Sequence, residues 1–461
     1  MKSFLSYLIK PLSALSALFI FGCDSFVEVD LPKSQLAAQT VYEDYNTATA
    51  ALMNVYASLR DRGIITGTGT GISNQLGCYA DEIVSNENPT NPSLNFYRNA
   101  LLPGNTVISG YWNASYSQIY SANLIMEGTA GSTNLTQPQK KQLKGEALFI
   151  RALVHFYLVN LFGDIPYITG TEYTENRTVA RRDVSFVYAK ITEDLENSIR
   201  LLGPDYLTAS RVRPNSFTVK ALLARMYLYQ NAYPEAANTA SSILNNSQLY
   251  SLETPDRAFL LASRETLWQL HAGAAGRNTA EATYFTFSSV PPPQVSLSAA
   301  LTGSFQAGDL RKSLWTRAVT RNGLTFYHAY KYKENNATNA SREYSIVFRL
   351  AEQYLIRAEA RARQGELIGA KEDLNVLRHR AGLADTGAVT QQEIIDAVLQ
   401  ERKWEFFTEY GHRFLDLKRT GQLDAVLSAV KLGWNSTDCL FPIPQSELSA
   451  NPFLGSQNPG Y

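Results

Sequence analysis

Asp81 and Glu82 stand side by side, and a pair of carboxylates is what an acid-and-nucleophile glycosidase requires. Neighbours in sequence rarely converge on one bond, so a helix cap or a hydrogen bond to a ligand suits this pair better. The chain contains no Gly-x-Ser-x-Gly elbow, no His-Glu-x-x-His helix and no Gly-Lys-Ser/Thr phosphate loop. The run GTGTG from Gly67 to Gly71 has the glycines of a phosphate cradle, but it lacks a lysine and a strand–helix setting. A flexible surface loop is expected there. His155 lies in the apolar stretch RALVHFYLVNLFG, where a hydrogen-bonded core histidine is the ordinary outcome, and His379 and His412 sit beside arginines at structural positions. Cys23, Cys78 and Cys439 form no Cys-x-x-Cys or Cys/His cluster, which argues against a zinc site. In an exported protein Cys78 and Cys439 either pair as one disulfide or remain two buried thiols. No catalytic residue, metal or cofactor is therefore assigned, and no reaction is specified.

Forty-two basic and 42 acidic residues in 461 give zero formal charge. A nucleic-acid binder would normally carry a basic excess to neutralise phosphates. Hydrophobic residues at 45% against 18% charged describe a globular chain. The 26 Tyr, 21 Phe and 5 Trp supply rigid rings for recognition or for packing. The N-terminus is an address: Lys2 and Lys10 precede the apolar run LSALSALFIFG, too short for the roughly 20 residues of a membrane span. It ends at Gly22-Cys23, a small residue before cysteine that resembles the lipobox of bacterial lipoproteins, with Ile20 and Phe21 departing from the commonest pattern. A signal over residues 1–22 and an acylated Cys23 would tether a soluble domain to the membrane.

Residues 23–461 are expected to form one mainly α domain. Helical periodicity covers about 40–62, 111–250 and 346–430; in the first, Ala48, Leu52, Val55, Tyr56 and Leu59 share a face. A weak repeat links FTVKALLARMYLYQNAYPEAANTASSILN to VFRLAEQYLIRAEARARQGELIGAKEDLNVLR. Asn231 and Gly365 take equivalent turns, and Ala224 and Ala358 precede them by equal distances. Such helix pairs resemble tetratricopeptide units, which must stack on neighbours to bury an apolar face. Two loop-rich inserts, about 63–110 and 254–345, interrupt the helices; the second carries a short strand at LTFYHAYKY and the polar loop ENNATNASREYS. A Pro- and Asn-rich segment at about 436–461 is expected to pack as extended chain.

Four stretches together resemble the SusD/RagB family of Bacteroidetes outer-membrane nutrient-binding lipoproteins: Cys23 with DSFVEVDLP; LKGEALFIRALVHFYLVNLFGDIPY; VFRLAEQYLIRAEARARQG with LNVLRHRAGL; and LQERKWEFFTEYGHRFLDLKRTG running on to LFPIPQSELSANPFLGSQNPGY. Their charges, Glu146, Arg151, Arg349, Glu352, Glu359, Glu401, Arg402, Glu405, Glu409 and Arg413, are spaced as a polar network joining stacked helices. The resemblance implies a SusD-like fold and binding without catalysis. It implies a lipid-anchored, surface-exposed outer-membrane protein that caps a SusC-like TonB-dependent barrel and delivers an oligosaccharide. The alternatives are a peptide ligand, or a structural lid with no affinity of its own. Ligand contacts are expected from the inserts: Asn95, Phe96, Tyr97 and Arg98 with Tyr79 and Asp81 from the first, Tyr284 and Trp315 from the second. Each competes with a role as loop anchor or core aromatic, and Trp112 is assigned to helix packing with Tyr116 and Ile119.

Overall fold

In the computed structural model the described residues are 40–461, so the expected signal segment and Cys23 lie outside them. Helix α1 (Tyr45–Asp61) starts where the Asp44 carboxylate accepts the backbone N–H groups of Asn46 and Thr47, and it buries the five residues that the periodicity places on one face. The first insert is more ordered than its composition suggests, holding α2 (Ile72–Tyr79), β1 (Ile83–Ser85) and α3 (Leu94–Tyr97). The long helices α4 (Thr106–Gly131) and α5 (Gln137–Phe162) follow, each with a polar cap, at Asn105 and Thr136. By length and hydropathy α5 would suit a bilayer, but its apolar stretch is wholly enclosed by the fold. Gly163, at φ +73°, ends it.

A short α6 (Tyr173–Asn176) and α7 (Val184–Leu201) lead to the first hairpin, α8 (Ser216–Tyr229) and α9 (Tyr233–Leu244). The second insert contributes β2 (Thr266–Leu270), α10 (Ala280–Phe285), β3 (Val295–Leu297), α11 (Ala299–Ser304), α12 (Leu310–Trp315), β4 (Thr316–Arg321), β5 (Leu324–Ala329) and β6 (Ser345–Arg349). One antiparallel sheet runs β1-β3-β5-β4 and the other pairs β2 with β6. Pairing of Ile83 with Leu297 and Ser85 with Val295 joins the two inserts directly. The β4–β5 hairpin turns on Asn322 and Gly323, both at positive φ, which suits the right-handed strand twist. The expected strand over 324–332 is present as β5, whereas helix expected from about 346 begins only after β6. A short apolar run such as Ile346-Val347-Phe348 has no periodicity that separates strand from helix.

The second hairpin, α13 (Leu350–Arg363) and α14 (Leu367–Arg380), repeats the first helix for helix. Their equivalent turns place Asn231 at φ +58° and Gly365 at φ +83°, both left-handed, which asparagine and glycine adopt most readily. Ala224, Ala236 and Ala240 pack against Ile356 and Ala360, so the first hairpin lies on the second. Ala358, Ala370, Leu374 and Leu377 then pack against Ile394 and Val398 of α15 (Gln391–Phe406). Helices α16 (His412–Arg419), α17 (Leu423–Leu427) and α18 (Gln445–Ala450) complete the chain. Its final residues are strapped down by Asn458, whose amide donates to the carbonyls of Phe162 and Phe441 at 2.8 Å.

The motif charges are taken up in several buried ion-pair clusters, and many of their partners come from outside the motifs. Glu146 takes Arg213 at 2.5 Å, Arg151 takes Asp194 at 2.6 Å and Glu352 takes Arg225 at 2.6 Å. Around Arg349 the groups interlock: it reaches Glu265 at 2.9 Å, Glu409 at 2.8 Å and also Glu405, which Arg380 and Arg311 share. Arg311 continues to Asp309 and Glu401, and Lys331 closes on Glu409. These groups are buried, so the pairing is obligatory: one uncompensated charge would cost about 3–5 kcal/mol.

Candidate functional site

A cleft of about 380 Å³ opens where the two inserts meet the end of α1. Its floor is Leu270 and Ser345, cross-strand neighbours at one end of the β2–β6 pair. One wall is Arg60 and Asp61, joined at 2.6 Å, with the Arg60 guanidinium also donating to the His271 carbonyl at 3.4 Å. Beside it runs the GTGTG segment, which is a tightly packed loop and not the flexible one expected. A Cβ on Gly67 would sit 2.1 Å from the Glu281 carboxylate, and one on Gly69 would sit 2.3 Å from the Tyr284 ring. The glycines are there because α10 presses on them. Glu281 accepts the Ser345 hydroxyl at 2.7 Å, and burial raises its pKa.

The opposite wall is a strap over residues 334–338, held mainly by Asn278. Its amide donates to the Asn336 carbonyl and the Thr338 hydroxyl, both at 3.0 Å, and its carbonyl oxygen accepts the N–H of Arg342 at 2.8 Å. Thr283 adds a bond to the Asn335 carbonyl at 3.3 Å. Facing the opening are Arg277, His271, Asn335 and Asn336. His271 Nδ1 accepts the Gly273 N–H at 2.9 Å, which leaves Nε2–H free to donate. Burial and the neighbouring Arg60 hold His271 below the ordinary histidine range, so it is neutral at neutral pH. The carboxylates at this cleft are each held by arginine, Asp61 by Arg60 at 2.5 Å and Glu334 by Arg342 at 2.7 Å. The hydrogen bond from Arg60 lowers the Asp61 pKa. Donors and acceptors therefore alternate around the opening, an arrangement that grips a ligand rich in hydroxyl groups. Among the described residues no three His, Cys, Asp or Glu side chains group as metal ligands.

None of the eight expected contact residues lines this cleft. Tyr79 and Phe96 are buried to 0% exposure in a knot of rings with Phe414, Trp434 and Phe441, and the Tyr79 hydroxyl donates to the Asp438 carbonyl. Trp315 is equally buried; its indole donates to the Pro255 carbonyl at 2.6 Å and its ring lies beside Lys331 and Arg349. These three are corrected to core residues, because no ring face is left open. Asp81 is locked to Arg413 at 2.8 Å and Lys403 at 3.0 Å. Burial works to raise its pKa, but those two cations bring it down to about 2. Glu82 points into the core, where burial and then Asp81 push it up to about 8. Asn95 and Tyr97 are half-buried and Arg98 is exposed, on a turn whose carbonyls rest against Gly433 and Lys431. Tyr284 comes nearest: it is one residue from Thr283 of the cleft, but its hydroxyl is taken by Asn74 at 3.0 Å and Glu87 at 3.1 Å. Cys78 and Cys439 are free thiols, and burial pushes Cys78 up to about 12. The residues that do line the cleft were signalled by the Asn-rich run ENNATNAS and by the small-residue run HAGAAGRNTA, not by rings.

Stacked helix pairs presenting a loop-built polar cleft define a class of helical scaffold proteins. Residues 35–228 match a family described as starch-binding associating with outer membrane, and residues 303–461 match the SusD family itself. The chain belongs to the SusD/RagB family. A SusD-like protein of Formosa agariphila is 24% identical over 96% of this chain and 97% of its own. The starch-binding protein SusD of Bacteroides thetaiotaomicron is 34% identical, over 33% of this chain and 29% of its own. Among solved structures, a SusD superfamily protein of Bacteroides vulgatus superposes with a TM-score of 0.79 at 21% identity, covering 91% of this chain and all of that one. A laminarin-binding SusD-like protein gives 0.77 at 24% identity, with the same coverage. The fold is accordingly mainly α and SusD-like.

Proposed function

We propose that this chain is a carbohydrate-binding protein of the outer membrane, which holds an oligosaccharide at the insert cleft and passes it to a SusC-like TonB-dependent barrel. The observation that carries this is the cleft itself. Amide, guanidinium and imidazole donors alternate with carboxylates and carbonyls on rigid supports, as a polyhydroxylated ligand requires. The family description, the starch-binding relative and the laminarin-binding structure support the same ligand class. Anchoring through an acylated Cys23 and exposure at the cell surface belong to the proposal. Capture needs no bond-making residue, which accords with carboxylates held in ion pairs. Isothermal titration calorimetry with starch-, laminarin- and other polysaccharide-derived oligosaccharides tests it. Binding that weakens when Arg277→Ala and Asn336→Ala are introduced is expected. Silence across the sugars with tight binding to peptides would overturn it.

A further inference from the structure

Of the three exposed aromatic rings among the described residues, two line one cleft away from the insert cleft and the third is next in the chain to residues that line it. Tyr120 on α4 is 45% exposed and Tyr173 on α6 is 74% exposed, and both line a second cleft of about 430 Å³. Phe453, 61% exposed, lies in the chain between Asn451 and Leu454, which line the same cleft. The other aromatic side chains are buried or half-buried, so two open rings in one cleft, with a third beside it in the chain, are not what surface chance gives. Beneath them Trp112 and Tyr116 pack as tilted rings with centroids 5.0 Å apart, the Tyr116 hydroxyl committed to the Pro166 carbonyl at 3.0 Å. At the rim stand Arg177 and Glu447, neither in an ion pair among the described residues.

We infer that this aromatic cleft is a second carbohydrate subsite, and that the protein grips one extended glycan chain at two places. Ring faces meet the C–H side of a sugar, while a guanidinium and a carboxylate outside ion pairs, the latter accepting only the Ser446 hydroxyl at 3.4 Å among the described residues, bond its hydroxyls. A route connects the subsites. A third hollow, of about 500 Å³, shares Asp61 with the insert cleft and Asn113 with the aromatic cleft, and it follows the N-terminal half of α4. From Thr106 to Tyr120 that helix rises about 21 Å, a span for several sugar units and not for one. Two linked contacts on one chain add by effective concentration, so affinity climbs with ligand length until both are filled. The inference rests on the carbohydrate function proposed above.

The test is calorimetry of the whole protein with malto- and laminari-oligosaccharides graded from disaccharide to heptasaccharide, alongside the double variant Tyr120→Ala/Tyr173→Ala. Both rings are exposed, so the variant is expected to fold with an unchanged circular dichroism spectrum. The wild type should gain affinity along the series, and the variant should lose about tenfold for the longest sugars while leaving the disaccharide unchanged. A variant with an undiminished length dependence would overturn the second subsite alone. No binding of any sugar by the wild type would overturn the carbohydrate function and this inference with it. Loss of barrel co-purification with sugar affinity intact would give the cleft to a protein partner and overturn the inference.

Discussion

Replacing Glu82 by glutamine should make the protein more stable in mild alkali and leave it nearly unchanged in mild acid. The Glu82 side chain is 2% exposed at the residue level, and its Oε1 has no hydrogen-bond partner. Burial, reinforced by the adjacent Asp81 charge, lifts the carboxyl from 4.5 to about 8. Folding therefore takes up a proton at this position wherever the unfolded chain has lost it. The contribution is fully favourable below pH 4.5, falls as pH rises toward 8, and is flat beyond. At 1.36 kcal/mol per pH unit the gap of about 3.5 units corresponds to roughly 5 kcal/mol at the limit, and about 3 kcal/mol at pH 7. Asp81 does not blur the window, since it stays ionised down to about pH 2. The neutral amide of Glu82→Gln has no such titration, less a cost of about 1–3 kcal/mol if its N–H₂ finds no acceptor. Guanidinium unfolding of both proteins between pH 5 and 8.5 should show the stability difference growing in favour of the variant by about 4 kcal/mol. Parallel curves, with a difference that does not move with pH, would refute the assignment of a protonated carboxyl at this site.

Asp81→Asn should destabilise at neutral pH by about 2–3 kcal/mol, because a group lowered from 3.8 to about 2 contributes stability above pH 3.8 and loses it toward pH 2. Urea melts across that acid range should show the deficit shrinking. Trp315→Phe removes the bond to Pro255 and should cost about 1–3 kcal/mol in thermal unfolding while leaving sugar affinity unchanged; a loss of affinity would return Trp315 to the site. Gly69→Val collides with the Tyr284 ring and should shift the loop beside the insert cleft, weakening oligosaccharide binding by about tenfold in calorimetry.

The helical frame was legible because its signals are local. The buried face of α1, the Pro and Gly stops and the matched turns at Asn231 and Gly365 all follow from short-range periodicity and backbone chemistry. That the motif charges pair within the fold was also readable, but many of their partners were not. Glu352 meets Arg225 only once distant helices have stacked, and Arg349 meets Glu265 only once β2 has paired with β6. The candidate site was half legible. The failure of helical pattern points to the inserts, which supply most of the cleft, yet Tyr79, Phe96 and Trp315 within them are buried and none of the expected residues lines it. Tyr79 disappears because Phe414, Trp434 and Phe441, more than 300 positions away in number, close over it. A ring's exposure is a tertiary property, so composition names recognition chemistry without saying which side chain is left outside. For the same reason Trp112, placed in helix packing, does pack against Phe162 and also walls the aromatic cleft.

The β1–β3 pairing and the Asp81 bridge to Arg413 and Lys403 hold the inserts by groups other than those that face the opening. Arg277, Asn335 and Asn336 can then be exchanged at little expense to folding, while the glycines and carboxyls behind them cannot. Under the proposed sugar-binding role, such a division would let a lineage diversify its diet by drift at a handful of outward positions, and it marks the same positions as the place to begin redesigning selectivity.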